Sequence, residues 1–367
     1  INYNHMKSII INKRNTFILR ISALSVFLFF SVTFNSCNED EFLKEVPLDF
    51  YSPENSYVTY NDFLSSVMNL YGRYRADFWD DSSSGGVYSV WQFTDLVHGT
   101  SSAGLINYAG NLTPQSGTVF TYFWERAYRI IYDANTIIER SDAPESKLTD
   151  AQKKLVQAEA MFFRGYMYKL LANMYGGVPI TLEETKEPTR DYVRASREDT
   201  YKQAASDLKF ATENLLDIDV DDARVNKLAA NHMLSEVYIS LGQWQNAIDA
   251  ATVVINHPGM DLMTERFGTQ VDPEGNRFPP PFNDTVYGGD VYWDLFRPGN
   301  QNRSAGNTEA IWVTQYAVDV PGGSGSNGGF PLERQACPRV YQTLVVNNDG
   351  SRHPVAPQPN TYLTGRG

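Results

Sequence analysis

Cysteine and histidine are both scarce in this chain. Among 367 residues there are two cysteines, Cys37 and Cys337, far apart and in unlike surroundings. Neither a disulfide framework nor a cysteine-based metal site is expected from them. The five histidines (His5, His98, His232, His257, His353) are scattered, with no two at ligand spacing. No G-x-S-x-G, H-E-x-x-H or P-loop spacing occurs. GGSGSNGG (322–329) lacks the Lys-Ser/Thr of a phosphate cradle and reads as a flexible loop. No EF-hand-like spacing supports calcium. Glycoside hydrolysis needs two carboxylates facing each other across the bond, whereas adjacent loop residues such as Asp80 and Asp81 are expected to point apart as solvated surface. No enzyme and no cofactor are expected.

Positive charge is short too. Lys and Arg total 31 against 43 Asp and Glu, a net charge of -12, so polyphosphate would be repelled and nucleic acid is not an expected partner. The apolar run ISALSVFLFFSVTF (21–34) falls short of the roughly 20 residues that span a bilayer. What remains is ordinary globular material: 42% hydrophobic, with 13% aromatic residues arguing against disorder.

Residues 1–36 read as a secretory signal. Lys7, Lys13, Arg14 and Arg20 precede the apolar run, with no acid among them, and Asn35-Ser36-Cys37 follow it. Residues 1–5 lie upstream of Met6 and look like an over-read frame. Cys37 resembles the acylated cysteine of a bacterial lipobox, although Phe34 and Asn35 replace the usual aliphatic and small residues. NEDE (38–41) opens an acidic tether over 37–55. Stable anchoring there would need more than one acyl chain.

Helical periodicity governs 56–256. Tyr60, Phe63, Leu64, Val67, Leu70, Tyr71 and Tyr74 recur at i, i+3/4, i+7, and so do Phe120, Phe123, Trp124, Ala127, Ile131, Ala134 and Ile138. Helices are expected near 56–75, 119–140, 151–175, 199–216, 226–242 and 243–256. Ser196 with Asp199 suits a capping box. In 151–175, which is apolar nearly all round, Ala151, Ala158, Gly165 and Ala172 form a row of small residues for a close neighbour. Leu234, Ser235, Tyr238, Gly242, Trp244 and Ala247, with Pro258, sit at tetratricopeptide spacings. The pairs 56–75/119–140 and 151–175/199–216 would be earlier repeats, carrying inserts at 76–118 and 176–198. The fold class expected is mostly α, a tetratricopeptide-like helical repeat (α-α superhelix) with long loop inserts. From 257 to 367 the texture turns irregular, with one alternating, strand-like run, EAIWVTQY (309–316).

The block AEAMFFRGYMYKLLANMYGGVPI (158–180) resembles the hallmark segment of the SusD/RagB family. YNDFLSSVMNLYGRY (60–74), WERAYRIIYDANTIIE (124–139), the repeat at 226–258 and NTEAIWVTQY (307–316) match in order. The resemblance implies an outer-membrane lipoprotein facing the exterior. It would bind oligosaccharide or polysaccharide without catalysis and deliver it to a partner TonB-dependent transporter. It also implies that the chain stops short of the family's usual C-terminal stretch, leaving 257–367 incomplete and some apolar surface uncovered. Some members bind peptides, so a peptide- or protein-binding lipoprotein adaptor is the alternative.

The family's ligand contacts lie outside these motifs, so candidates come from the residues themselves. Sugar recognition sets flat rings against pyranose faces and polar groups against hydroxyls. Trp124 and Trp244 fall at helix core positions and Trp312 in the alternating run. Trp79, Trp91 and Trp293 fall in irregular segments. The candidate ligand-binding residues are therefore Trp79, Trp91, Tyr292, Trp293 and Arg297, with Asp294 or Arg297 available for hydroxyls. Each ring could instead pack its insert onto the helices.

Overall fold

The computed structural model describes residues 56–79, 117–218, 221–268, 290–296 and 299–316, the side chains of 117–119 and Trp293 excepted. The chain divides into two compact units, Ile1–Ser56 and Tyr57–Gly367, and the elements below belong to the second. Cys37 and its acidic tether fall outside the described residues.

Six main helices follow in chain order: α1 (Tyr60–Tyr74), α2 (Gly117–Ser141), α3 (Asp150–Tyr175), α4 (Arg197–Asn214), α5 (Lys227–Ser240) and α6 (Trp244–Ile255). A short helix α7 (Val291–Leu295) and a 3-10 turn (Arg303–Ala305) come later, and α1 runs on into a π-turn (Arg75–Trp79). No strand occurs among the described residues. Each of α2 to α6 packs on its predecessor in the chain, and α1 also lies against α3. This is the tetratricopeptide-like helical stack that the periodicity predicts.

Local chemistry sets the helix ends. Thr59 donates its amide and hydroxyl to Asp62, 2.7 and 2.9 Å away, opening α1. Thr149 and Gln152 form a reciprocal capping box at α3. Ser196 Oγ accepts from the Asp199 amide at 3.0 Å, and Asn226 Oδ1 from the amides of Leu228 and Ala229. Gly176 (φ 76°) closes α3, and Gly242 (φ 69°) turns α5 into α6.

The main core cluster spans α1 to α5, with Phe63, Ile130, Phe162, Phe163, Tyr168 and Leu208 all fully buried, and a smaller one joins Ile218, Leu228 and Val254. The small-residue row on α3 has a geometric reason at Gly165. A Cβ there would lie 3.0 Å from both Ala204 O and Leu208 Cγ, so α4 crosses directly over the glycine. Ala158 and Ala172 are buried in the same row, while Ala151 is exposed.

Two expectations change. On α6 the inward residues are Ala247, Ala250 and Val254, whereas Trp244 is 64% and Ile248 57% exposed. Trp244 therefore does not pack as a core residue of its repeat. This helix packs chiefly on α5, and one neighbour buries only one of its two apolar stripes. EAIWVTQY is not a strand: the described part of the chain offers it no ladder partner. Side chains dock it instead. Trp312 stacks on Tyr74 with ring centroids 5.3 Å apart and donates to Ala223 O, and Asn226 donates to Ile311 O.

Candidate functional site

The second apolar stripe of α2 builds an aromatic concavity. Phe123, Ala127, Ile130, Ile131, Ala134 and Ile137 face the core. Trp124, Tyr128 and Tyr132, spaced i, i+4, i+8, run beside that stripe on one side of the helix, over roughly 12 Å at 1.5 Å per residue. Trp124 meets Tyr128 at 4.9 Å between ring centroids and Tyr175 edge-on at 5.2 Å. Tyr128 donates to Pro179 O at 2.6 Å, fixing its ring. Burial, and then the neighbouring Tyr168 and Tyr192, push this phenol well above its ordinary pKa, so it stays a neutral donor.

The opposite wall is the insert 176–198. Gly177 makes its base possible: a Cβ there would sit 2.0 Å from Ala195 O. Pro179 and Arg194 form an isolated antiparallel bridge, and the Ala195 amide donates to Val178 O. The insert's first half is then bonded along α2 and α3. Asn135 donates to the carbonyls of Thr181 (2.9 Å) and Glu183 (3.2 Å), and Tyr168 both donates to and accepts from the Thr181 backbone. Arg140 grips Glu184 through two nitrogens at 2.8 and 3.0 Å. Behind Asn135, the buried Arg164 donates to its Oδ1 (2.8 Å) and to both Asp207 oxygens (2.8 and 2.7 Å).

Between these walls lies a groove of about 380 Å³ lined by Trp124, Tyr128, Tyr132, Asn135, Pro179, Thr181, Thr185 and Tyr192. Tyr132 and Tyr192 are 44% and 50% exposed at its mouth. Half of the lining residues are aromatic, and hydroxyl-bearing threonines stand beside them. That is the composition that grips a sugar, with rings against apolar faces and polar groups against hydroxyls.

The residues anticipated from sequence are dispersed. Trp79 ends the π-turn half-buried against the main core, edge-on to Tyr74 at 6.3 Å. Tyr292 is 69% exposed on α7 and pairs edge-on with the equally open Phe296 at 5.0 Å. Trp91, Arg297 and the Trp293 side chain lie outside the described residues. Asp294, anticipated as a partner for sugar hydroxyls, is fully buried and receives Arg266 and the Phe267 amide, so it is a structural anchor. Trp124, assigned to the core from sequence, lines the groove. A second cavity of about 390 Å³, between α1 and the 221–224 and 312–315 segments, exposes fewer rings. Among the described residues no cluster of His, Cys, Asp and Glu could hold a metal, and no helix is long and apolar enough to cross a membrane.

Comparison with known proteins gives the following. Residues 80–239 match the SusD-like family described as starch-binding associating with outer membrane. SusD-like protein P25 of Formosa agariphila is 24% identical over 330 residues, 85% of this chain and 56% of its own length. SusD-like protein P2 of the same organism is 27% identical over 302 residues, 80% of this chain and 53% of its own length. The chain thus spans about half the length of these relatives. One crystal structure superposes with a TM-score of 0.56 at 19% identity, covering 79% of this chain and 51% of that one, and supports the fold.

Proposed function

We propose that this chain, a SusD/RagB family protein by its similarity to that family's model and members, is a non-catalytic, cell-surface lipoprotein that binds glycan and delivers oligosaccharide to a partner TonB-dependent transporter of the outer membrane. In this reading residues 1–36 are removed on export, Cys37 carries the lipid, and 37–55 is the acidic tether. Residues 56–256 are the rigid helical domain, with inserts at 76–118 and 176–198, and 257–367 the loop-rich region. Trp79, Trp91, Tyr292, Trp293 and Arg297 remain proposed contacts at the irregular segments.

One observation carries the reading: the groove between α2 and the 176–198 insert. Its lining combines Trp124, Tyr128, Tyr132 and Tyr192 with threonine hydroxyls. Its walls are held by backbone and buried-ion contacts, so little order need be acquired on binding.

Titration calorimetry of the full chain against plant and host glycans tests this. Tyr132→Ala and Tyr192→Ala are expected to weaken binding roughly tenfold, about 1.4 kcal/mol, with the melting temperature nearly unchanged. Silence of the folded protein across the panel, or affinity confined to peptides, would overturn it. Recovery of a TonB-dependent transporter by crosslinking at the cell surface checks the partner.

A further inference from the structure

We infer that the groove selects neutral oligosaccharide and discriminates against the same chain bearing carboxylates or sulfates. This rests on the reading of the groove as a glycan site, and charge carries it further. The lining of the groove contains no carboxylate, ammonium, guanidinium or imidazole side chain. The adjoining cleft shares Thr181, Thr185 and Tyr192 with it and is lined by Glu183, Glu184 and Glu187 against the single cation Lys186. A ligand longer than the groove therefore runs out past a mainly acidic rim.

Three nearby cations are already engaged. Lys186 bonds Glu139 at 2.6 Å, Arg140 holds Glu184, and Arg164 is buried on Asp207 and Asn135. Beside α2, Arg73 pairs with Asp133. An anionic sugar would meet no cation in the groove to replace its lost water, and like charge at the rim. Selectivity of this kind works by repulsion of the wrong ligand rather than by added attraction to the right one. Because Glu183 and Glu187 are exposed, salt should weaken the effect, since screening acts over roughly 8–10 Å near physiological ionic strength.

The test compares one neutral oligosaccharide from the panel with the same molecule after oxidation of its primary hydroxyls to carboxylates. Both are titrated into the full chain at about 20 and about 500 mM salt. The oxidised form is expected to bind at least roughly tenfold more weakly at low salt, with the gap narrowing at high salt. Glu183→Gln with Glu187→Gln should narrow the same gap and leave neutral affinity unchanged. Equal or tighter binding of the oxidised form would overturn the inference. So would a gap indifferent to salt and to the glutamines, because lost hydrogen bonds would then explain it. Binding of anionic glycans alone overturns this inference and leaves the glycan reading standing, whereas silence toward every glycan removes both.

Discussion

Arg164 meets three demands at once inside the stack. It neutralises Asp207, holds Asn135 in the orientation that bonds the insert, and does so with side-chain exposure of only 5%, against 3% for its partner. A lysine has the charge but not the planar fork that serves a carboxylate and an amide together. Arg164→Ala leaves Asp207 buried and uncompensated, so a loss of about 3–5 kcal/mol is expected in urea unfolding. Pairing Arg164→Leu with Asp207→Leu should cost clearly less than the two single changes summed, because the double variant buries no lone charge. Additivity would mean that the two residues act independently, contrary to their geometry. Gly165 sets a steric limit beside them. Gly165→Ala forces its methyl against Ala204 O and Leu208, and a destabilisation of about 1–3 kcal/mol is expected from thermal melts.

At the scale of elements, the insert 176–198 hangs on a junction that admits no side chain. Gly177→Ala puts a carbon 2.0 Å from Ala195 O, so the two ends of the insert must separate. Glycan affinity should fall together with faster proteolysis within 183–191, while helical circular dichroism stays close to that of the parent. Loss of the helical signal would show instead that the junction supports the stack itself. Between α3 and α5 the contact is electrostatic: Glu236 accepts from Lys169 and faces His232. Its pKa is held at about 2, below the ordinary 4.5, through His232 first and Lys169 next. A depressed carboxylate stabilises the fold above its unfolded value and loses that contribution as pH falls through its folded value. The melting temperature of the parent should therefore exceed that of Glu236→Gln above pH 4.5 and converge on it as pH falls toward 2. A constant offset across that range would sink the assignment.

These elements also show what a single sequence discloses. The start of α4 is readable because Ser196–Asp199 is a local signal, and the inward stripe of α1 because Phe63, Val67 and Leu70 recur at helical period, whereas the Thr149–Gln152 box that opens α3 emerges only from the structure. The outward turn of Trp244 was not. Two apolar stripes on α6 look alike in periodicity, and only the position of α5 decides which is covered. Trp124, Tyr128 and Tyr132 are legible as an i, i+4, i+8 aromatic row, but their meaning depends on Tyr192, which a glycine junction and buried ion network bring across from the next connection. The alternation of 309–316 was real yet silent about its partner, and Trp312 filled a helical core instead of a sheet.

For the molecule as a whole, stacking in chain order makes stability a sum of helix terms and nearest-neighbour contacts. The layers are unequal. α3 packs against α1, α2 and α4 and carries Phe162, Phe163, Met167, Tyr168 and Leu171 at zero exposure. α6 offers only Ala247, Ala250 and Val254 to its neighbour, with exposures of 6–8%. Opening should therefore begin at α6 and reach α3 only in global unfolding, the pattern of local openings graded by buried contact. Hydrogen exchange resolved along the chain should find amides of α3 the most protected and those of α6 among the least. Val254→Ala should accelerate exchange in α6 and the facing part of α5 while leaving α3 at its parental rate. Phe63→Ala, which empties a fully buried site on α1, should cost about 3–5 kcal/mol and raise exchange in α1, α2 and α3. The two substitutions lie on helices without substantial mutual contact, so their combined cost in chemical unfolding should match the sum within about 0.3–0.5 kcal/mol. Uniform acceleration along the chain by Val254→Ala would mean that the helices open as one indivisible unit, and the layered account of this fold would fail.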